Sequence, residues 1–274
     1  MSAATTGTAL EQQIFYADND SNIEQVVHRL CILLPRAILL AGFDENGKLL
    51  QATFNSYENS HPEWITDFFE HRFLTNPLLH GNKNDADIFI AASKYLLVPG
   101  TLYNNETAEK WLKKIEFIES GELISTYCLQ EDNIYYMYAW PAEIKKLISK
   151  YFSRASALPL AACQFGKTNT TGHLLQCCIA GMQAYATLYS NDALQWHRVF
   201  NFNNIEDIAY TIKHLCRQLN ITEDSLQIAC TATGANEAAI INELAQYLPN
   251  IALKNKDANG GYTLPLLEQL YTCA

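Results

Sequence analysis

Few residues in this chain are spaced for chemistry. The eight cysteines are the first to test. Zinc needs its ligands in chelating pairs. No Cys-x-x-Cys occurs, the thiols are scattered, and Cys177-Cys178 are neighbours in an apolar run. They read as small apolar residues of a reducing cytoplasm. Gly166-Lys167-Thr168 imitates the end of a P-loop, but Ala161 stands where the first Gly belongs, and a linker and strand follow instead of a helix. Neither G-x-S-x-G nor H-E-x-x-H occurs. His197 falls in a strand between Trp196 and Arg198, and a general base would need a placed partner that the sequence does not offer. Asp67 and Asp207, 140 residues apart, tempt one toward a carboxylate pair. Each falls in the first turn of an expected helix, where an acid complements the helix dipole. They are read as caps. The sequence therefore assigns no catalytic residue, no metal site and no cofactor.

Composition bounds what such residues could serve. The chain has 274 residues, 49% of them hydrophobic and 18% charged, with a formal charge of −10. A chain of this length buries about 70–75% of its unfolded surface and needs neither disulfide nor metal to hold a core. Its acidity repels a phosphate backbone and no basic cluster breaks the pattern, so nucleic acid is not expected as a partner. Met1–Gln13 lacks the basic and apolar regions of a signal peptide. The longest greasy run, Leu30–Phe43, is cut by Pro35-Arg36 and falls short of the ~18 residues of a membrane span. The expected location is the cytoplasm.

The elements that must position any site come in two similar series. Residues 1–22 are polar and patternless and are expected to fray. Strands are expected at His28–Leu34, Arg36–Phe43 and Lys48–Asn55, the last two joined by an Asn-Gly turn. Ser60-His61-Pro62-Glu63 reads as a capped helix start running to Leu74. A strand over Asp87–Val98 and a helix over Glu106–Phe117 follow. Glu122–Gln130 and Asn133–Trp140 read as a hairpin. Its aromatic second strand could be a binding face or ordinary strand composition. A helix follows from Pro141 to Phe152. The second series has strands at His173–Ala180, Met182–Tyr189 and Ala193–Phe202, and a box-like helix start at Asn204-Ile205-Glu206-Asp207. A strand at Ser225–Thr231 and a helix at Ala235–Leu248 complete it. Both series spell β-β-β-α-β-α at a nearly constant offset. The expected fold class is α/β, with two duplicated units facing each other across a cleft. The expected organisation is an N-terminal extension (1–27), a first half (28–165) with an inserted hairpin (122–140), a linker (166–172) and a second half (173–274).

This duplicated unit resembles the fold shared by actin, the Hsp70 ATPase domain and sugar kinases, the ribonuclease-H-like superfamily. More narrowly, the chain resembles a bacterial domain-of-unknown-function family, the one numbered thirty-eight twenty-two. The residues that carry this are Leu97-Val98-Pro99 and Leu102-Tyr103 before the Glu106 helix, then Phe200-Asn201-Phe202 leading to Glu206-Asp207 and Tyr210, and lastly Gly234 after the Ser225 strand. The likeness runs from about Leu30 to Leu253. It implies an actin-like ATPase fold without an established activity. In that fold, phosphates rest on the turn between the first two strands of each half. Such turns want Gly for close approach and Asp, Thr or Ser for metal and phosphate. Here the turns read Leu34-Pro35-Arg36-Ala37 and Ala180-Gly181-Met182-Gln183, and the adenosine loop reads Thr231–Asn236. Pro35 has no N–H, and neither turn has an acid.

The expected function is a degenerate actin-like protein, a pseudoenzyme kept as a scaffold or protein-interaction module. Its partner would be a protein, met by the aromatic hairpin Tyr135–Trp140 or the cleft rim, and a homo-oligomer follows by fold analogy. The alternative is an atypical nucleotide- or small-molecule-binding enzyme whose cleft is lined by Arg36, Gly181, Gln183, Thr233, Gly234 and Asn236.

Overall fold

The computed structural model describes residues 11–17, 23–58, 60–79, 86–129, 133–152, 155, 157–166, 168–248, 252–254 and 262–273. In chain order, β1 (Glu11–Ala17), β2 (His28–Leu34), β3 (Ala37–Phe43) and β4 (Leu49–Ser56) precede α1 (Thr66–Thr75) and β5 (Ala86–Ile90). Then come β6 (Lys94–Pro99), α2 (Asn105–Ile115), β7 (Glu122–Leu129), β8 (Ile134–Pro141), α3 (Ala142–Tyr151) and β9 (Ala157–Pro159). The chain continues with β10 (His173–Ala180), β11 (Gln183–Ser190), β12 (Ala193–Asn201), α4 (Ile205–Gln218) and β13 (Leu226–Ala232). It finishes with α5 (Ala235–Tyr247), β14 (Ala252–Lys254) and α6 (Thr263–Cys273).

The duplication is visible in the sheets. One sheet has the order β1-β4-β3-β2-β5-β9 and another β12-β11-β10-β13-β14. With β1 set aside, both place the third strand at the edge, then the second, first, fourth and fifth. Each begins with two antiparallel pairings, β2–β3–β4 and β10–β11–β12. In the second sheet β13 and β14 then add in parallel, which is what crossover helices dictate. The fold is mixed α/β.

The chain forms two compact units: Met1–Phe89 with Glu143–Ala157, and Ile90–Ala142 with Leu158–Ala274. In the first, β2 and β3 are buried along nearly their whole length, as expected of central strands covered on both faces. α1 adds Phe68, Phe69 and Phe73 to this core. In the second, α4 buries Ile205, Ile208, Ala209, Ile212, Leu215 and Cys216, the i, i+3, i+4, i+7 stripe of an amphipathic helix. They pack with Leu175, Ile179, Ile228 and Leu244 in one core. No helix among the described residues is long and apolar enough to cross a membrane.

The second unit also holds a three-stranded sheet, β6-β8-β7. α2 covers one face, packing Ala108 and Leu112 on Val98, Met137 and Ala139. On β6 and β8 respectively, Tyr95 and Tyr136 stack at 5.4 Å between ring centroids. The Tyr95 hydroxyl donates to His197 O at 3.1 Å and accepts from Val199 N–H at 3.3 Å. It thereby occupies backbone positions on β12, an edge strand, where an open ladder would invite foreign strands.

Four expectations fail for stated reasons. Within 1–22, residues 11–17 do not fray: they form β1, whose backbone pairs antiparallel with β4. The expected strand over Asp87–Val98 is two strands, β5 and β6, in different sheets. The helix expected from Ser60 starts only at Thr66. Its intended box is spent elsewhere: Glu63 pairs with Arg36 at 2.8 Å, and Trp64 N–H donates to Pro35 O at 2.6 Å. The aromatic strand does not present a face of exposed rings: Tyr136, Tyr138 and Trp140 are buried and Tyr135 half-buried, and Trp140 Nε1 donates to Ser125 Oγ at 2.9 Å.

Candidate functional site

The first turn to consider joins β2 to β3. Leu34 pairs with Ala37, leaving Pro35 and Arg36 as the two-residue loop. Its two carbonyls and the Arg36 guanidinium are engaged by Tyr57, His61, Glu63 and Trp64. Pro35 O accepts from Trp64 N–H, and Arg36 O accepts from Tyr57 N–H at 3.1 Å. The Tyr57 hydroxyl lies 2.9 Å from Pro35 O and 3.1 Å from Pro62 O, and accepts from Ile65 N–H at 3.2 Å. The Arg36 guanidinium donates to His61 O at 3.1 Å and to Glu63 Oε1 at 2.8 Å. Arg36 is thus a clasp on a neighbouring loop.

The second turn joins β10 to β11. Ala180 pairs with Gln183, and Gly181 and Met182 make the loop. Gly181 has φ +59°, a left-handed conformation that favours glycine. Its N–H is taken by a carboxyl group of the chain itself: it donates to Glu237 Oε1 at 3.1 Å. Glu237 is the third residue of α5, after the N-cap Gly234, where the helix N-terminus favours negative charge. Glu237 is only 6% exposed. Burial raises its pKa, against the opposing pull of its own N–H and that of Gly181. The buried Thr233 hydroxyl lies beside the same carboxyl without hydrogen-bonding geometry.

The other candidates gather around this pair. Thr233 N–H donates to Ile179 O at 3.1 Å, stitching the β13–α5 loop to β10. Gln183 is buried, and its Oε1 lies 3.0 Å from the Tyr185 hydroxyl. Gly234 is buried and extended, with φ −160°, and Asn236 is exposed. The structure therefore brings Gly181, Thr233 and Gly234 to one place and puts Glu237 at its centre. Sequence reasoning passed over Glu237. Its one local signal was a Glu three residues after Gly234, which looks like ordinary helix-start chemistry. The partner, Gly181, lies 56 residues away.

The remaining motifs resolve simply. Where the P-loop imitation sits, Thr168 N–H and Asn169 N–H donate to Asp192 Oδ1 at 2.6 and 3.1 Å. Here too a carboxylate of the chain holds the amides a phosphate would want; Lys167 lies outside the described residues. Asp207 accepts from Asn203 and Asn204 N–H while Asn204 caps Asp207 N–H, a complete capping box. His197 Nδ1 lies 2.8 Å from Thr187 Oγ1, its ring enclosed by Tyr95, Tyr136 and Phe165. Burial pushes its pKa down to about 3, which makes it a neutral structural group. All eight cysteines are free and six are buried. Burial pushes Cys177 and Cys178 up to about 12, so neither offers a thiolate. No cluster of three metal-binding side chains occurs among the described residues.

Comparison with known proteins follows the same line. A family model described as "Protein of unknown function (DUF3822)" matches residues 18–251. Among solved structures, the chain is similar to a Bacteroides thetaiotaomicron VPI-5482 protein with actin-like ATPase fold and unknown function. The two are 14% identical with a TM-score of 0.74, over 91% of this chain and 96% of that one. It is also similar to a chain of the PilM–PilN type IV pilus biogenesis complex, at 11% identity and TM-score 0.52, over 91% and 99% of the two chains. Likeness at these identities speaks for the fold alone. No curated protein sequence matches the chain.

Proposed function

Because this chain belongs to the family of proteins of unknown function DUF3822, whose name carries no chemistry, we propose its role from the turns themselves: a non-catalytic scaffold or protein-interaction module on an actin-like fold. One observation carries the reading. The Gly181 amide, one of the two that this turn could offer a phosphate, is already given to Glu237. An incoming phosphate would have to displace a buried carboxylate and then sit beside it. Each charge-assisted hydrogen bond a nucleotide forgoes is worth about 1.5–3 kcal/mol, and the like charge adds a further cost. The Pro35-Arg36 turn supports the same reading, since Pro35 has no N–H and Arg36 is held by Glu63 and His61. The free thiols fit a reducing cytoplasm. In this reading the chain acts through a protein partner.

Isothermal titration of the full chain with Mg-ATP and Mg-ADP tests this. The expected result is no saturable heat. Saturable binding at micromolar nucleotide would overturn the reading, and would favour an enzyme built on the same turns.

A further inference from the structure

The second unit also has a hollow of about 340 Å³ beside β6 and α2. Leu96 and Val98 of β6, Leu102 of the following loop, and Trp111, Lys114 and Ile115 of α2 line it. β6 is an edge strand of its sheet. Trp111 packs, partly buried, against the core that Ala108 and Leu112 close, and Ile115, one turn on, carries the same apolar stripe out into water. Leu102 is 61% exposed, Ile115 64% and, just beyond the helix, Phe117 80%. Large apolar side chains gathered in this way mark an interaction surface.

The rim adds a sign. Lys114 borders the hollow, and helical spacing sets Lys110 one turn before it on the same side. Neither has an ion-pair partner among the described residues, whereas Lys113 is paired with Glu109 at 3.2 Å. A chain of net charge −10 thus presents here an apolar hollow with an unneutralised basic edge.

We propose that this hollow docks a partner protein through an acidic–apolar anchor: one large apolar side chain in the hollow and an Asp or Glu, close to it in sequence, on Lys114. The proposal deepens the scaffold reading and rests on it. A second copy of this chain fits less well, because a two-fold contact sets a patch against itself and would bring lysines against lysines. A free fatty carboxylate matches the charge but does not reach for the exposed Phe117, which lies outside the lining of the hollow.

The test is selection of short random peptides, displayed on phage, against the folded full chain. The expected outcome is enrichment of a large apolar residue beside Asp or Glu. Affinity of the enriched peptides should fall about tenfold or more for Leu102→Asp and for Lys114→Glu. Lys114→Glu should itself select basic peptides. Leu102 and Ile115 are mostly exposed, so their Asp variants should match the wild type in circular dichroism and melting; Lys114→Met serves as a milder variant. Four results would overturn the proposal: no enrichment over Leu102→Asp; enriched peptides that bind Lys114→Glu equally well; a dimer by light scattering that Ile115→Asp separates; or saturable laurate binding at the hollow without peptide binding. The two readings fail separately. Nucleotide heat in the wild type sinks the scaffold reading, whereas silent calorimetry with no enrichment sinks the docking proposal alone.

Discussion

Glu237 holds the residue-scale argument, because its buried carboxyl stands on the Gly181 amide. Its pKa is raised in the folded chain, first by burial. A raised acid binds its proton more tightly folded than unfolded. Its contribution to stability is therefore complete below the unfolded value and is lost as pH rises through the folded one. Glu237→Gln keeps an oxygen for the Gly181 amide and removes the titration. Denaturant unfolding at a series of pH values should show the variant at least as stable as wild type at neutral pH, and flatter across the window just above the ordinary carboxylate pKa. A steeper fall in the variant would contradict this assignment. Residue types reveal some of this and not the rest. Asp207 was legible as a cap because its partner, Asn204, is three residues away. Glu237 was not, because its meaning lies in a turn that only the folded sheet brings near.

At the scale of elements, the loop from Tyr57 to Trp64 does the work a capped helix start was expected to do. Trp64 takes a positive φ of 59°, and the segment closes over the Pro35-Arg36 turn. Tyr57 is its central fastener, 5% exposed, with three backbone groups around its hydroxyl. Tyr57→Phe should cost about 1–3 kcal/mol, the usual penalty for leaving buried polar groups unpaired, read as a lower unfolding midpoint in urea. A change within a few tenths would show that the loop is not held this way. Helices with strong stripes and local caps, α2 and α4, were readable to within two residues at each end. The Ser60 start misled because its pattern is genuine locally while Glu63 and Trp64 have better partners in the β2–β3 turn. β6 was merged with β5 because Ala91-Ala92-Ser93 carries no Gly, Pro, Asn or Asp to mark the break.

For the whole molecule, the duplicated strand order was legible because order survives errors at element ends. The starts of β5 and β13, Ala86 and Leu226, keep the 140-residue spacing of Asp67 and Asp207. The grouping of β6, β7 and β8 into a sheet of their own was not legible, since strand pairing between distant segments leaves no local trace. The same limit hid β1, a short run of three polar residues before Ile14, Phe15 and Tyr16, ordered by its ladder to β4. What the duplicated architecture does with its turns is the central claim, and a crystal structure of the full chain grown with Mg-ATP tests it most directly. The account predicts Glu237 Oε1 within hydrogen-bonding distance of Gly181 N–H and no nucleotide at either turn. A phosphate oxygen on the Gly181 amide, with Glu237 turned aside, would contradict it.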